Sequence, residues 1–343
     1  MRIRTSLIAV ALASLTALGA TGCSGGSSDT AGEPAEGGDG SGGVINLYAY
    51  AVPKPGFDLI IPAFNKTADG KGVAFQASYG ASGDQSRKVE KGAEADVVNF
   101  SVEPDITRLV KAGLVDENWN ADAQKGIPFG SVVTIVVRKG NPKGIHDWDD
   151  LLKEGVDVVT PNPFSSGSAK WNLLAPYAAK SNGGQNPEGG LTYLQQLIGE
   201  HVHVQPKSGR EATETFLQGT GDVLLSYENE ALFAERNGDP VEHVTPPTTF
   251  KIENPVAVVK TSKNLKKAQA FRDYLFTTEG QRLWAKAGFR PVDPAVAAEF
   301  AKDFPAPAKL WTIDDLGGWK KVNDELFAEG TGAIAQIYDA ATK

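Results

Sequence analysis

Two hydrophobic periods alternate along the chain. Short runs rich in Val, Ile, Leu and aromatic residues read as strands: VINLYAY (44–50), VAFQAS (73–78), ADVVNF (95–100), SVVTIVV (131–137), VDVVT (156–160), VHVQ (202–205), DVLLSY (222–227) and VAVV (256–259). Between them lie stretches of helical period, such as KNLKKAQAFRDYLF (263–276), where Leu265, Ala268, Phe271 and Leu275 fall on one face. This alternation predicts an α/β fold with mostly parallel sheets flanked by helices. The chain shows no internal repeat and no Walker-type or dinucleotide-binding glycine signature.

The N-terminal stretch departs from this pattern. Arg2 and Arg4 precede an apolar run from Leu7 to Ala20, too short for a bilayer span and laid out as a secretory signal over 1–22. It ends at Cys23, the only cysteine in the chain, placed after small residues as in a lipobox, so cleavage would leave Cys23 as a lipidated N-terminus. A single thiol also excludes a disulfide framework. Residues 23–43 carry almost nothing that can be buried and read as a flexible tether. The remaining 44–343 exceed what one hydrophobic core usually serves, which predicts two lobes. Crossings near 128–131 and 245–256 divide the body into 44–129 plus 255–343 as a discontinuous first lobe and 130–254 as a second. The expected location is extracytoplasmic, attached to the cell membrane by lipid.

The chain has 34 basic and 42 acidic residues, and removing Arg2 and Arg4 with the signal leaves 32 − 42 = −10. No Lys/Arg cluster offsets this balance, so a nucleic-acid partner is not expected. An anionic ligand stays compatible, because inside a cleft local dipoles outweigh distant, screened charges.

The candidate chemistry lies in three strand-to-helix turns, SYGASGDQSRKV (78–89), NPFSSGSAKWN (162–172) and KSGREATETF (207–216). Each places serine and glycine at a helix start. One such turn is explained by capping, and SGDQ and SGRE match the capping-box spacing. Three together allow a second reading: helix starts offer unpaired N–H groups and partial positive charge, and glycine permits close approach, so their convergence would bind an anion without a cationic side chain. Other constellations are weaker. His201 and His203 share one side of a strand without further ligands at metal spacing, so no metal is expected. No turn has the G-x-S-x-G form of a nucleophile elbow. Glu228 and Glu230 diverge on a helix start, and six scattered tryptophans suit core packing.

In order, SYGASGDQSRKV, ADVV, VVRKGNPKGIHDWDDLL (136–152), TPNPFSSGSAKWNLL (160–174), ATETF (212–216), GDVLLSYENEAL (221–232) and FRPVD (289–293) resemble the sulfate-binding proteins of ABC sulfate/thiosulfate importers, over about Val44 to Asp293 with gaps. The resemblance implies a type II periplasmic-binding-protein fold, a two-lobed Venus flytrap closing on one sulfate held by neutral donors, with no enzyme activity and no cofactor. It implies sulfate or thiosulfate as ligand, membrane permease subunits as partners, and a monomer. Carried over by position, it assigns ligand contacts to Ala51, Ser82, Ser166, Gly167, Ser168, Gly209 and Tyr227, with Arg210 behind them. There are departures: Tyr-Asp-Pro at the first strand end is Tyr50-Ala51-Val52 here, a tryptophan is Tyr227, a second glycine is Ser168, and Asp84 stands where lysine is common. A phenol accepts as well as donates, so Tyr227 and Asp84 leave phosphate, molybdate or tungstate as alternative ligands, and anion sensing as an alternative role.

Overall fold

The computed structural model describes residues 30–35 and 38–341; Cys23 and the signal lie outside them. Two sheets organise these residues. The first joins β1 (Thr30–Ala35), β2 (Val44–Tyr50), β3 (Ala74–Gly80), β4 (Val97–Asn99) and β10 (Val256–Val258) in the order β1-β3-β2-β4-β10. The second is built on β5 (Phe129–Arg138), with β6 (Val158–Val159), β7 (Val223–Tyr227), β8 (Val241–Val244), β9 (Thr248–Glu253), β11 (Arg290–Pro291) and β12 (Lys309–Trp311).

Each sheet is covered on both faces, and the strands show it in their period of two. On β4, Val97 enters the large core while Val98 enters a separate cluster with Val89, Phe100, Ile106 and Leu109. On β7, Val223 and Leu225 face the large core and Leu224 the cluster of Ala212, Phe216 and Ala231. Successive side chains point to opposite faces, so near-continuous apolar runs are what two-sided burial requires.

The helices around the cleft are α1 (Lys54–Phe64), α2 (Ser82–Glu90) and α3 (Glu103–Lys111) in the first lobe, and α4 (Gly167–Lys180), α5 (Pro187–Gln196), α6 (Gly209–Leu217) and α7 (Glu228–Arg236) in the second. They follow strands, except α5, which follows α4 directly, and α6, which follows an isolated bridge at Val204. The later helices α8 (Leu265–Tyr274) and α9 (Thr278–Lys286) return to the first lobe, where the rings of Phe75 and Phe271 lie 4.7 Å apart and those of Phe57 and Trp284 5.2 Å.

Four expectations need correction. The second sheet is not mostly parallel: β5 runs antiparallel to β7, β8, β9 and β11. The chain leaves the first lobe through β5 and returns through β9, and two crossings in opposite directions pair antiparallel, Gly130 against Glu253. The assignment of 255–343 to the first lobe fails at its end. Strand β12 pairs with β9, Trp319 packs on Trp171 with ring centroids 4.7 Å apart, and helix Ala333–Ala341 lies against α5, all in the second lobe. The run VHVQ makes only one bridge, Val204 to Val159, because Pro206 has no N–H to extend a ladder. Part of the stretch read as a tether, Thr30–Ala35, pairs antiparallel with β3.

Candidate functional site

In the second lobe, α4 begins at Gly167 with Ser166 as its N-cap residue, and no side chain caps it. The Ser166 amide donates to the Asn162 carbonyl at 2.9 Å, whereas the amides of Gly167 and Ser168 have no acceptor among the described residues. Helix α6 begins at Gly209 behind Ser208, whose hydroxyl accepts from the Glu211 amide at 3.2 Å; the Gly209 amide likewise has no protein acceptor. These are the orphan donors of two helix starts, each carrying the positive end of a helix dipole.

The two starts meet each other and the first lobe. A methyl added at Gly209 would lie 2.9 Å from Ser168 Oγ and 3.1 Å from Val52 Cγ2, and one added at Gly167 would lie 2.7 Å from the Ser101 Cβ. The approach is closer than any side chain allows, which is why glycine stands at both positions. The Gly83 amide at the start of α2 donates to the Ser165 carbonyl across the cleft at 3.1 Å, and Ser165 Oγ donates to the Lys207 carbonyl at 2.8 Å, so Ser165 ties the turns together.

The first-lobe wall differs from the expectation at two positions. The Ala51 amide already donates to the Gly80 carbonyl at 2.9 Å, extending the β2/β3 ladder by one bond; the next amide, Val52, has no acceptor among the described residues. The Ser82 hydroxyl donates to Asp105 Oδ2 at 2.6 Å and accepts from the Ser101 amide at 2.9 Å, so its proton is committed inward. What Ser82 offers the cleft is its amide, at the first position of α2. Asp105 is itself buried and paired with Arg108 at 2.9 Å.

Tyr227 closes the site from the end of β7. Its hydroxyl lies 2.7 Å from Ser101 Oγ, and burial pushes its pKa up, opposed by hydrogen bonding from the neighbouring Ser101, Ser168 and Asn254 side chains. The phenol therefore stays protonated across the physiological range. Tyr50, whose ring centroid is 6.5 Å from that of Tyr227, carries a buried hydroxyl with no partner among the described residues.

Arg210, Arg87 and Lys170 near these turns are each held by protein groups. Arg210 donates to Glu230 Oε1 at 2.7 Å, and Glu230 Oε2 accepts from Thr213 Oγ1 at 2.9 Å, which braces the start of α6 against α7 from behind. Asp84 pairs with Arg87 at 2.5 Å along its own helix and does not turn into the cleft. Lys170 turns toward the C-terminal segment, donating to Asn323 Oδ1 at 3.1 Å, and burial pushes its pKa down. A cavity of about 270 Å³ opens beside Ala51 between the lobes, lined by Lys54, Asp58, Tyr79, Arg210, Glu214 and Phe233. His201 is buried with Nδ1 2.9 Å from the Val156 carbonyl, and among the described residues no group of three or more His, Cys, Asp or Glu side chains is placed to hold a metal. Glu228 is held by Arg290 at 2.7 Å, away from Glu230 and its Arg210.

Of the residues named from the sequence, Gly167, Ser168 and Gly209 present amides without acceptors among the described residues at this junction, and Val52, Ser101 and Asp105, which were not named, adjoin them. Strand pairing that continues past Tyr50 shifts the free amide by one residue, which no spacing in the sequence reveals. Ser101 lies in a fourth strand-to-helix turn, NFSVEP (99–104), whose serine follows a strand as the others do.

The match to known proteins spans this whole arrangement. The family model described as "Bacterial extracellular solute-binding protein" matches residues 45–290. A solved structure of the sulfate-binding protein SubI from Mycobacterium tuberculosis H37Rv is 66% identical with a TM-score of 0.82, covering 83% of this chain and 99% of that one. The sulfate-binding protein of Synechococcus elongatus is 41% identical over 303 residues, 86% of each chain. That of Escherichia coli is 40% identical over 283 residues, 79% of this chain and 85% of the relative. The chain belongs to the bacterial extracellular solute-binding proteins, and within them to the family of sulfate-binding proteins.

Proposed function

We propose that the chain captures sulfate outside the membrane, between its two lobes, and hands it unchanged to the permease of an ABC importer, held at the membrane by a lipid on Cys23. The observation that carries this reading is the convergence of unpartnered amides at Gly167, Ser168 and Gly209 on those of Val52 and Ser82, with the Tyr227 hydroxyl beside them. Sulfate carries no proton at neutral pH and asks only for donors. Backbone dipoles supply them in a water-poor cleft, with no cation to desolvate. Hydrogen phosphate brings a proton that needs an acceptor; facing it with donors alone costs about 1–3 kcal/mol, roughly ten- to hundredfold in affinity. Thiosulfate presents three oxygens to the same donors and is the second ligand of this reading.

Calorimetric titration of the full-length chain with sulfate, thiosulfate, molybdate and phosphate, the last across pH 5 to 9, tests it. Tight, pH-independent sulfate binding with phosphate silent is expected; tighter phosphate or molybdate binding overturns the sulfate assignment. For the anchor, Cys23→Ser is expected to release the protein from the membrane fraction into the soluble one.

A further inference from the structure

Ser101 is wholly buried, and all of its polar groups are used. Its amide donates to Ser82 Oγ at 2.9 Å in the first lobe. Its carbonyl accepts from Trp171 Nε1 of α4 at 2.8 Å and from Asn254 Nδ2 of the returning crossing at 2.9 Å. Its hydroxyl meets the Tyr227 hydroxyl of the second lobe at 2.7 Å. One residue at the carboxyl end of β4 thus bonds to both lobes and to the crossing between them. The bonds to Trp171 and Tyr227 both cross from the first lobe to the second.

The proton arrangement of the Ser101 and Tyr227 pair has two solutions. If the phenol donates to Ser101, its lone pairs face the cleft and the Ser101 proton has no other acceptor among the described residues. If Ser101 donates to the phenol oxygen, the phenol proton is released from Ser101 and can point at a ligand, with the Ser168 and Asn254 side chains beside it as competing partners. A dianion surrounded by helix-start amides selects the second, and the two bonds in series then polarise one another. The neighbouring Ser82 hydroxyl cannot take this role, since its proton lies on Asp105.

We propose that Ser101 is a specificity-determining positioning residue: on closure its hydroxyl donates to Tyr227 and turns the phenol proton toward the bound anion, favouring sulfate over hydrogen phosphate. This rests on the sulfate reading above. Without Ser101 Oγ the phenol loses the donor that fixes its proton and keeps only its Ser168 and Asn254 neighbours, so selectivity against a protonated anion weakens together with affinity.

The test is calorimetry on the full-length wild-type chain and its Ser101→Ala, Tyr227→Phe and doubly substituted variants, with sulfate and with phosphate at pH 8, beside ligand-free melting curves. Ser101→Ala is expected to weaken sulfate binding roughly 5- to 10-fold, to narrow the sulfate-to-phosphate ratio, and to add nothing once Tyr227 is Phe. Unchanged sulfate affinity in Ser101→Ala, or single losses that multiply in the double variant, overturns the proposal and leaves the sulfate reading standing. If Ser101→Ala does not fold, Tyr227→Phe decides alone: an equal loss for both anions defeats the selectivity role. A wild-type chain that binds phosphate but not sulfate overturns the sulfate reading itself, and the proposal with it.

Discussion

The two walls of the cleft make their donors differently. In the second lobe, α4 and α6 both start at glycine, and their first amides face the gap with no competing protein acceptor. In the first lobe, the Ser82 hydroxyl is bound to Asp105 and the Ala51 amide to Gly80, so that wall contributes the amides of Val52 and Ser82 instead. One wall takes its donors from two helix starts, one of them braced from behind by Arg210. The other depends on side-chain partners that fix which group is left over. Changes to the second wall's own glycines should therefore strike affinity, and changes to the side-chain partners behind either wall should strike folding first.

The largest effect is expected behind the second wall. The Arg210 and Glu230 pair is buried, with Glu230 side chain 1% exposed, and removing one partner of such a pair costs about 3–5 kcal/mol. Arg210→Ala should lower the melting temperature strongly and weaken sulfate binding as the start of α6 loses its brace. The deficit should depend on pH. Burial raises the Glu230 carboxyl above its ordinary 4.5, with Arg210 and Thr213 opposing. A carboxyl raised on folding holds its proton more tightly in the folded chain, so its contribution to stability is fullest below the unfolded value and falls as pH climbs through the folded one. Without Arg210 that window widens upward. Melting curves of wild type and Arg210→Ala should lie closer at pH 5 than at pH 8; a constant gap would mean that Glu230 is not the group left exposed to the loss.

Gly167→Ala comes next and separates closure from folding. The added methyl would stand 2.7 Å from the Ser101 Cβ and 3.2 Å from Val102 Cγ1, contacts that exist across the cleft. Overpacking costs about 1–3 kcal/mol, here charged to the closed form alone, which is roughly 5- to 150-fold in sulfate affinity. The open chain loses nothing, since alanine suits a helix better than glycine. The expected result is weakened calorimetric binding with an unchanged or raised ligand-free melting temperature.

Ser82→Ala should reverse that pattern. It leaves Asp105 and the Ser101 amide each short of a partner, costing about 1–3 kcal/mol of stability, while the Ser82 amide remains in place. Melting should fall and sulfate affinity should move less than threefold. A large affinity loss with little change in melting would show that the hydroxyl faces the ligand after all.

The asymmetry also sets what was legible in the sequence. Helix starts are local: Ser-Gly spacing after an apolar run marks a turn and its free amides within four residues, and the resemblance to the sulfate-binding proteins then picks out Gly167, Ser168 and Gly209 among them. The direction of a hydroxyl is not local. Ser82 is governed by Asp105, twenty-three residues on, and Ser101 by Tyr227, 126 residues on. Strand runs with two-sided burial were likewise readable, whereas β12 and the helix at 333–341 were not assigned to the second lobe, because their partners β9 and α5 lie far back along the chain.

The smallest expected effect belongs to Asp84, the residue whose charge looked most at odds with an anion site. Its side chain is 35% exposed and its carboxylate meets Arg87 one turn on, at the N-terminal end of α2, where a negative charge favours the helix dipole. An exposed i,i+3 pair of this kind contributes about 0.2–0.5 kcal/mol. Asp84→Asn should therefore change the melting temperature only slightly and leave both sulfate affinity and the silence of phosphate within about twofold. A gain in sulfate affinity well beyond that would mean that the carboxylate repels the anion from the first wall. The contrast between the walls would then rest on charge rather than on which donors are free.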